Sequence, residues 1–202
     1  KEPRDEKEVE KILEAGKSKL WRVADVTESE VKRQSRAPFT TSTLQQTASS
    51  RLGFSPSRTM GIAQKLYEQG FITYMRTDST TLSTTAQAEI SSVILKEYGK
   101  EYLLLKQFAT KSKNAQEAHE AIRPTHASKL NAGHNEEQKR LYSLIRERTV
   151  SSQMSDAKLL RTKITTEIID GNCPIFSANG QRVIFPGWLA CDMGARGEDV
   201  EL

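Results

Sequence analysis

Gly70-Phe71-Ile72-Thr73-Tyr74-Met75-Arg76-Thr77-Asp78-Ser79-Thr80-Thr81 joins a helical pattern on one side to a turn rich in hydroxyls and charge on the other. Gly70 suits the stop of the preceding helix. Two readings of the residues after it are open. In one, residues 71–75 are a short buried strand, Asp78-Ser79-Thr80 is a turn, and Tyr74 is an ordinary core tyrosine. In the other, the cluster carries chemistry. A phenol with a free pKa of about 10 is a poor nucleophile near neutral pH unless a cation stabilises the phenolate or the charge developing on its target. Arg76 is placed for that. Its guanidinium is permanently charged, and its planar fork of donors matches two oxygens of a phosphodiester.

Working outward, Ser55-Pro56 makes a cap and first-turn pair, opening a helix with Met60, Ala63, Leu66 and Tyr67 inward and Gly70 at its end. Before it, Ser42 or Thr43 is expected to cap a helix whose face runs through Leu44, Ala48 and Leu52, with Gly53 as the stop. After the cluster, Ser83 or Thr84 caps a helix through Ala86, Ile90, Val93 and Ile94, stopped by Gly99. Residues 111–127 are polar and less regular, and Asn135 caps a further helix over residues 136–150.

The period changes outside this region. Leu160, Thr162, Ile164, Thr166 and Ile168 alternate with polar neighbours, Asp170-Gly171-Asn172 reads as a turn, and Arg182-Val183-Ile184-Phe185 reads as a strand. Near the start, residues 5–20 form an amphipathic helix pattern with Val9, Ile12 and Leu13 on one face, and residues 21–26 a strand. Pro38 disfavours helix at Ala37 and marks a boundary. The expectation is an α+β chain in which residues 1–37 and 156–202 form a β-rich domain and the helical residues 38–155 are inserted into it.

The 202 residues suffice for one large or two modest domains, and 36% hydrophobic with 28% charged residues describes a somewhat polar protein. No apolar run is long enough for a bilayer, and Lys1-Glu2-Pro3-Arg4-Asp5-Glu6 lacks a signal-peptide core. The expected location is the cytoplasm, with no membrane partner. A net charge of +4 permits a nucleic-acid partner without demanding one. Three basic groups (Lys32, Arg33 and Arg36; Lys111 and Lys113; Lys158, Arg161 and Lys163) are each of the kind more often found as a solvated face. Cys173 and Cys191 are too few and too far apart for a zinc motif and are expected to be structural. His126 and His134 have no ligand pattern around them.

Residues 72–80, Ile-Thr-Tyr-Met-Arg-Thr-Asp-Ser-Thr, resemble nearly letter for letter the active-site tyrosine segment of type IA DNA topoisomerases of the bacterial topoisomerase I group. The resemblance continues through Pro38-Phe39-Thr40-Thr41-Ser42-Thr43-Leu44-Gln45-Gln46, Ser50-Arg51-Leu52-Gly53-Phe54 and Ala63-Gln64-Lys65-Leu66-Tyr67-Glu68. Gln116-Glu117-Ala118-His119-Glu120-Ala121-Ile122-Arg123-Pro124 is similar to the family's downstream histidine motif.

The resemblance implies a toroidal clamp in which a helical domain carrying the tyrosine is inserted in a β-rich hinge domain. It implies cleavage of one DNA strand by Tyr74 through a 5′-phosphotyrosine link, strand passage and religation, relaxing negative supercoils without ATP. Arg76 would clamp the scissile phosphate and His119 would assist by hydrogen bonding. Asp78 would orient Arg76 and cap the turn. Thr77, Ser79, Tyr67 and Arg123 are candidate DNA contacts, although hydroxyl-rich turns are usually only turns and Arg123 could instead pair with Glu120. Mg2+ is expected in an upstream Toprim domain that this chain lacks, so the chain resembles an excised piece, inactive alone, with no metal or small-molecule cofactor of its own. The partner is a single-stranded segment of DNA at the cut site, and the expected state is a monomer. Two other classes stay in view: a recombinase or type IB enzyme, which would leave a 3′-phosphotyrosine, and a non-catalytic DNA-contacting gate domain.

Overall fold

The computed structural model describes residues 5–108, 120–169 and 173–195. These divide into two compact units, one of residues 5–32, 158–169 and 173–185 and the other of residues 33–108, 120–157 and 186–195. Helices and one small sheet make the chain α+β. Among the described residues no helix is long and apolar enough to cross a membrane.

In the first unit, α1 (Glu6–Ser18) starts at Asp5, whose carboxylate accepts from the Lys7 amide. The sheet has the order β1 (Trp21–Arg33), β2 (Ala157–Ile168), β3 (Phe176–Phe185). β2 and β3 pair antiparallel with Thr162 opposite Gly180 and a register shift between Lys158 and Leu159. β1 runs well past residue 26, where the sequence reading ends it. Its polar continuation is stable as strand because both faces stay wet, so Glu28 can pair across the sheet with the Thr162 hydroxyl at 3.3 Å. Leu13, read as part of the buried face of α1, is instead exposed; Trp21 covers the helix, its indole N–H donating to the Gly16 carbonyl at 2.9 Å. The expected turn at residues 170–172 lies outside the described residues.

The second unit holds α2 (Thr41–Leu52), α3 (Pro56–Glu68), α4 (Thr84–Glu97) and α5 (Glu136–Ser152). One buried cluster joins α2, α3 and α5 around Phe39, Leu44, Leu66, Ile72, Met75 and Ile122. A second joins α4 and the end of α5 to Trp188 and Leu189. Each fully buried large side chain contributes about 1.5–3 kcal/mol by leaving water. The start of α2 corrects the expectation: the cap is Thr40, not Ser42 or Thr43. Its hydroxyl accepts from the Thr43 amide while the Thr43 hydroxyl accepts from the Thr40 amide at 2.9 Å, a reciprocal box that uses threonine where glutamate is commoner.

Residues 33–37 and 186–195, read from sequence as parts of the β-rich domain, pack with the helices instead. The reason is Trp188, which is fully buried and donates from its indole to the Arg33 carbonyl at 2.8 Å. Gly187 permits this close approach; at φ +49, a Cβ there would sit 2.5 Å from the Ser155 carbonyl oxygen.

Candidate active site

The site begins with how α3 ends. Ser55 caps the helix and Pro56 fills its first turn, with Thr59, Ile62, Ala63 and Leu66 buried along one face. Tyr67, expected inward, is instead 40% exposed at the end of the helix. Gly70 adopts φ +72, and its amide donates to the Tyr67 carbonyl at 2.8 Å, turning the chain out of the helix.

The segment that follows is not a regular strand. It makes a single bridge, Ile72 with Pro124, and is otherwise held by side chains. The Thr73 amide donates to the Arg123 carbonyl at 2.9 Å, and the Thr73 hydroxyl donates to the Ala121 carbonyl at 2.7 Å and accepts from the Arg123 amide at 3.0 Å. On the other side, the Thr41 hydroxyl donates to the Met75 carbonyl at 2.8 Å and accepts from the Thr77 amide at 2.9 Å. The Thr41 amide donates to the Thr77 carbonyl at 2.9 Å. Thr41 and Thr73 thus fix the loop, and the sequence reading assigned neither a role.

Between these clamps the side chains alternate. Met75, Thr77 and Ser79 are buried, and Tyr74, Arg76 and Asp78 are exposed. An extended backbone turns successive side chains to opposite sides, so anchoring one set presents the other together. The Tyr74 ring stands 5.4 Å from the Tyr67 ring at 68°, an edge-to-face pair that orients the phenol. Among the described residues neither Arg76 nor Asp78 enters a hydrogen bond or ion pair. The expected orientation of Arg76 by Asp78 therefore has no contact behind it.

Thr77 and Ser79 were candidate DNA contacts, but their hydroxyls are spent within the loop. The Thr77 hydroxyl accepts from the Ser79 amide and the Ser79 hydroxyl from the Thr81 amide, each at 3.1 Å. Arg123 is likewise committed: it donates to Glu120 at 2.5 Å and to the Pro124 carbonyl at 2.9 Å. Glu120 also accepts from the Ser83 amide at 2.7 Å, which ties residues 120–125 to the start of α4. Burial alone would raise the Glu120 carboxyl, but the bonds from Arg123 and Ser83 outweigh it and hold the group below its ordinary range. His119 lies outside the described residues.

The described residues form no set of three His, Cys, Asp or Glu side chains that could hold a metal ion. Of the two acids near the loop, Glu120 is already engaged by Arg123 and Ser83. What the arrangement can do is present one phenol and one guanidinium, two residues apart and both reachable from solvent, on a loop fixed from two sides.

A sequence profile of the family described as DNA topoisomerase matches residues 1–201. The chain is 44% identical over 190 residues to the DNA topoisomerase 1 of Synechocystis sp., covering 92% of this chain and 21% of that protein. It is 46% identical over 195 residues to the DNA topoisomerase 1 of Xylella fastidiosa, covering 89% of this chain and 24% of that protein. The solved full-length topoisomerase I from Thermotoga maritima is similar with a TM-score of 0.81 and 35% identity, over 100% of this chain and 34% of that one. The chain thus spans about a fifth to a quarter of the length of these curated relatives.

Proposed function

The chain belongs to the bacterial type IA DNA topoisomerase family, and on that premise we propose that Tyr74 is the nucleophile that cuts one DNA strand. The observation that carries the proposal is the alternation around Tyr74: the loop buries Met75, Thr77 and Ser79 and leaves Tyr74 and Arg76 exposed together. A core tyrosine would have no reason to be 42% exposed on a segment clamped this firmly.

In this mechanism the Tyr74 phenolic oxygen attacks the phosphorus of a backbone phosphodiester. The new bond is a 5′-phosphotyrosine, the broken bond is that to the 3′ oxygen, and the phenolic proton is lost as the 3′-hydroxyl gains one. Arg76 donates two parallel hydrogen bonds to the non-bridging oxygens as charge builds on them. Tyr67 holds the phenol by its ring contact and offers a face on which a base can stack. His119 adds a hydrogen bond near the phosphate, and Asp78 shapes the field at Arg76. Religation is the same step reversed, so the energy of the phosphodiester is retained and no ATP is consumed.

The substrate in this proposal is a single-stranded DNA segment, and the activity of the whole protein is relaxation of negative supercoils by strand passage through a toroidal clamp. The helical part carries the tyrosine and the β-rich part serves as a hinge. Mg2+ is assigned to carboxylates outside this chain. The protein acts as a monomer in the cytoplasm.

The test is the polarity of the trapped link. A single-stranded oligonucleotide labelled on one side of the cut is incubated with the full-length protein and stopped with denaturant. The expected adduct carries the strand joined through its 5′ phosphate. A link through the 3′ phosphate would place the protein with recombinases and type IB enzymes, and no adduct at all would reduce this region to a DNA-contacting gate.

A further inference from the structure

Arg148, on α5, is only 4% exposed, and its guanidinium carbon lies 4.2 Å above the ring of Phe39. Among the described residues its buried Nε and Nη2 atoms have no hydrogen-bond partner. Leaving donors of a charged group unpaired in the interior is expensive. Asp192, the acid whose charge favours the guanidinium, does not relieve it. Asp192 is brought beside the 147–148 turn of α5 because the Cys191 thiol donates to the Glu147 carbonyl at 3.6 Å, yet its carboxylate is taken by Arg51 at 2.6 and 3.4 Å.

Nε and Nη2 together form one edge of the guanidinium, the pair of parallel donors that grips an oxyanion in bidentate fashion. The surroundings are cationic: Arg36, exposed on the segment leading to Phe39, and Arg51 both repel the Arg148 charge, and only Asp192 opposes them. Burial, reinforced by these two arginines, lowers the Arg148 guanidinium to about 10. Glu147, also close to Asp192 and Arg51, is pushed up by burial, which weakens its claim as a counter-ion.

We propose that Arg148, with the exposed Arg36 and with Arg51 adding to the positive field around it, forms an oxyanion subsite for a backbone phosphate of single-stranded DNA. The partner is chosen by position. Phe39, beneath the guanidinium, is followed directly by Thr40 and Thr41, and Thr41 holds the Tyr74 loop through Met75 and Thr77. A phosphate on Arg148 would therefore anchor the strand against the same short segment that fixes the nucleophile. This choice of partner rests on the DNA-cleaving function proposed above; the anion site itself does not.

Two measurements test it. In the first, inorganic phosphate is titrated into the chain while the Nε–H signal of Arg148 is followed by 15N NMR. A saturable shift, weakened in the surface variant Arg36→Gln, is expected. An absent shift, or one that grows linearly and ignores Arg36→Gln, marks an adventitious ion only and overturns the site. In the second, binding of the full-length protein to a single-stranded oligonucleotide is measured against salt. Removing one cation from a phosphate lowers the slope of log K against log salt by about 0.7, so Arg148→Met and Arg36→Gln should each flatten it by about that amount. Arg148→Met should also hold or raise Tm, because it removes an unpaired buried charge; a purely structural arginine would lower Tm and leave the slope alone, which overturns the proposal. Wild-type protein that binds no single strand would instead contradict the DNA-cleaving function, and the phosphate titration would still decide the anion site.

Discussion

The chain's two tryptophans sit in opposite surroundings. Both indole N–H groups bond a backbone carbonyl, but Trp188, in the helical unit, is 1% exposed, whereas Trp21, in the sheet unit, is 47% exposed and rests its ring at a tilt on Phe176. The same division runs through each unit. The helices enclose two clusters of buried side chains, while β1 is exposed along nearly its whole length and an open cavity on the sheet is lined by polar groups such as Thr27, Arg161, Lys163 and Gln181. A reactive group has to be held in place, and among the described residues the packed interior that can do it belongs to the helical unit. The candidate site is accordingly a loop anchored to that interior.

The largest effect should separate the two tryptophans. Trp188→Ala is expected to cost about 3–5 kcal/mol, the usual range for emptying a filled core position, while Trp21→Ala should cost about 1 kcal/mol. Urea unfolding of the two variants measures both; equal losses would erase the contrast between the units. Next comes the clamp itself. Thr41→Val keeps the shape but strips partners from the Met75 carbonyl and Thr77 amide, at about 1–3 kcal/mol, and the loosened loop should slow adduct formation by about tenfold or more. Denaturation and single-turnover adduct assays read the two effects. A variant that loses stability but cleaves at the wild-type rate would show that loop rigidity is irrelevant to the chemistry.

A smaller effect should follow pH. Because the Glu120 carboxyl lies below its ordinary range in the folded chain, its contribution is fully present above the unfolded value and is lost as pH falls through the lower folded one. Glu120→Gln should therefore lower Tm at pH 7 and make little difference in strong acid, where the wild type has lost the same interaction. A constant difference across the acid range would mean that charge is not what ties Glu120 to Arg123 and Ser83. The smallest effect belongs to the exposed pair of Arg58 and Glu137; Arg58→Ala should change stability by about 0.5 kcal/mol or less, and less still in high salt.

The helical half was the more legible part of the sequence for a physical reason. Ser55-Pro56, Ser83 and Asn135 act as caps where the pattern puts them, and the buried faces of α3 and α4 follow the helical period, whereas the last turns of α5 are buried on all sides. The end of β1 was misread because a strand wet on both faces leaves no alternation of apolar residues to find. Trp188 illustrates another limit: nothing local in Pro186-Gly187-Trp188 says that it will bury itself beneath helices far away in sequence. At the site, the sequence singled out Tyr74 and Arg76 but treated Thr77 and Ser79 as equally available, because composition does not reveal which side of an extended loop faces inward. Thr41 and Thr73 were passed over since their partners are backbone groups about 35 and 50 residues away.

The most direct measurement is the fate of the covalent link when the phenolic oxygen alone is removed. Tyr74→Phe in the full-length protein, incubated with a single-stranded oligonucleotide and stopped with denaturant, should form no 5′-phosphotyrosine adduct, while its Tm and its affinity for the oligonucleotide stay at the wild-type values. An adduct that persists in Tyr74→Phe, joined to the 5′ phosphate of the cut strand, would mean that another residue is the nucleophile and that the exposure of Tyr74 beside Arg76 has a different cause.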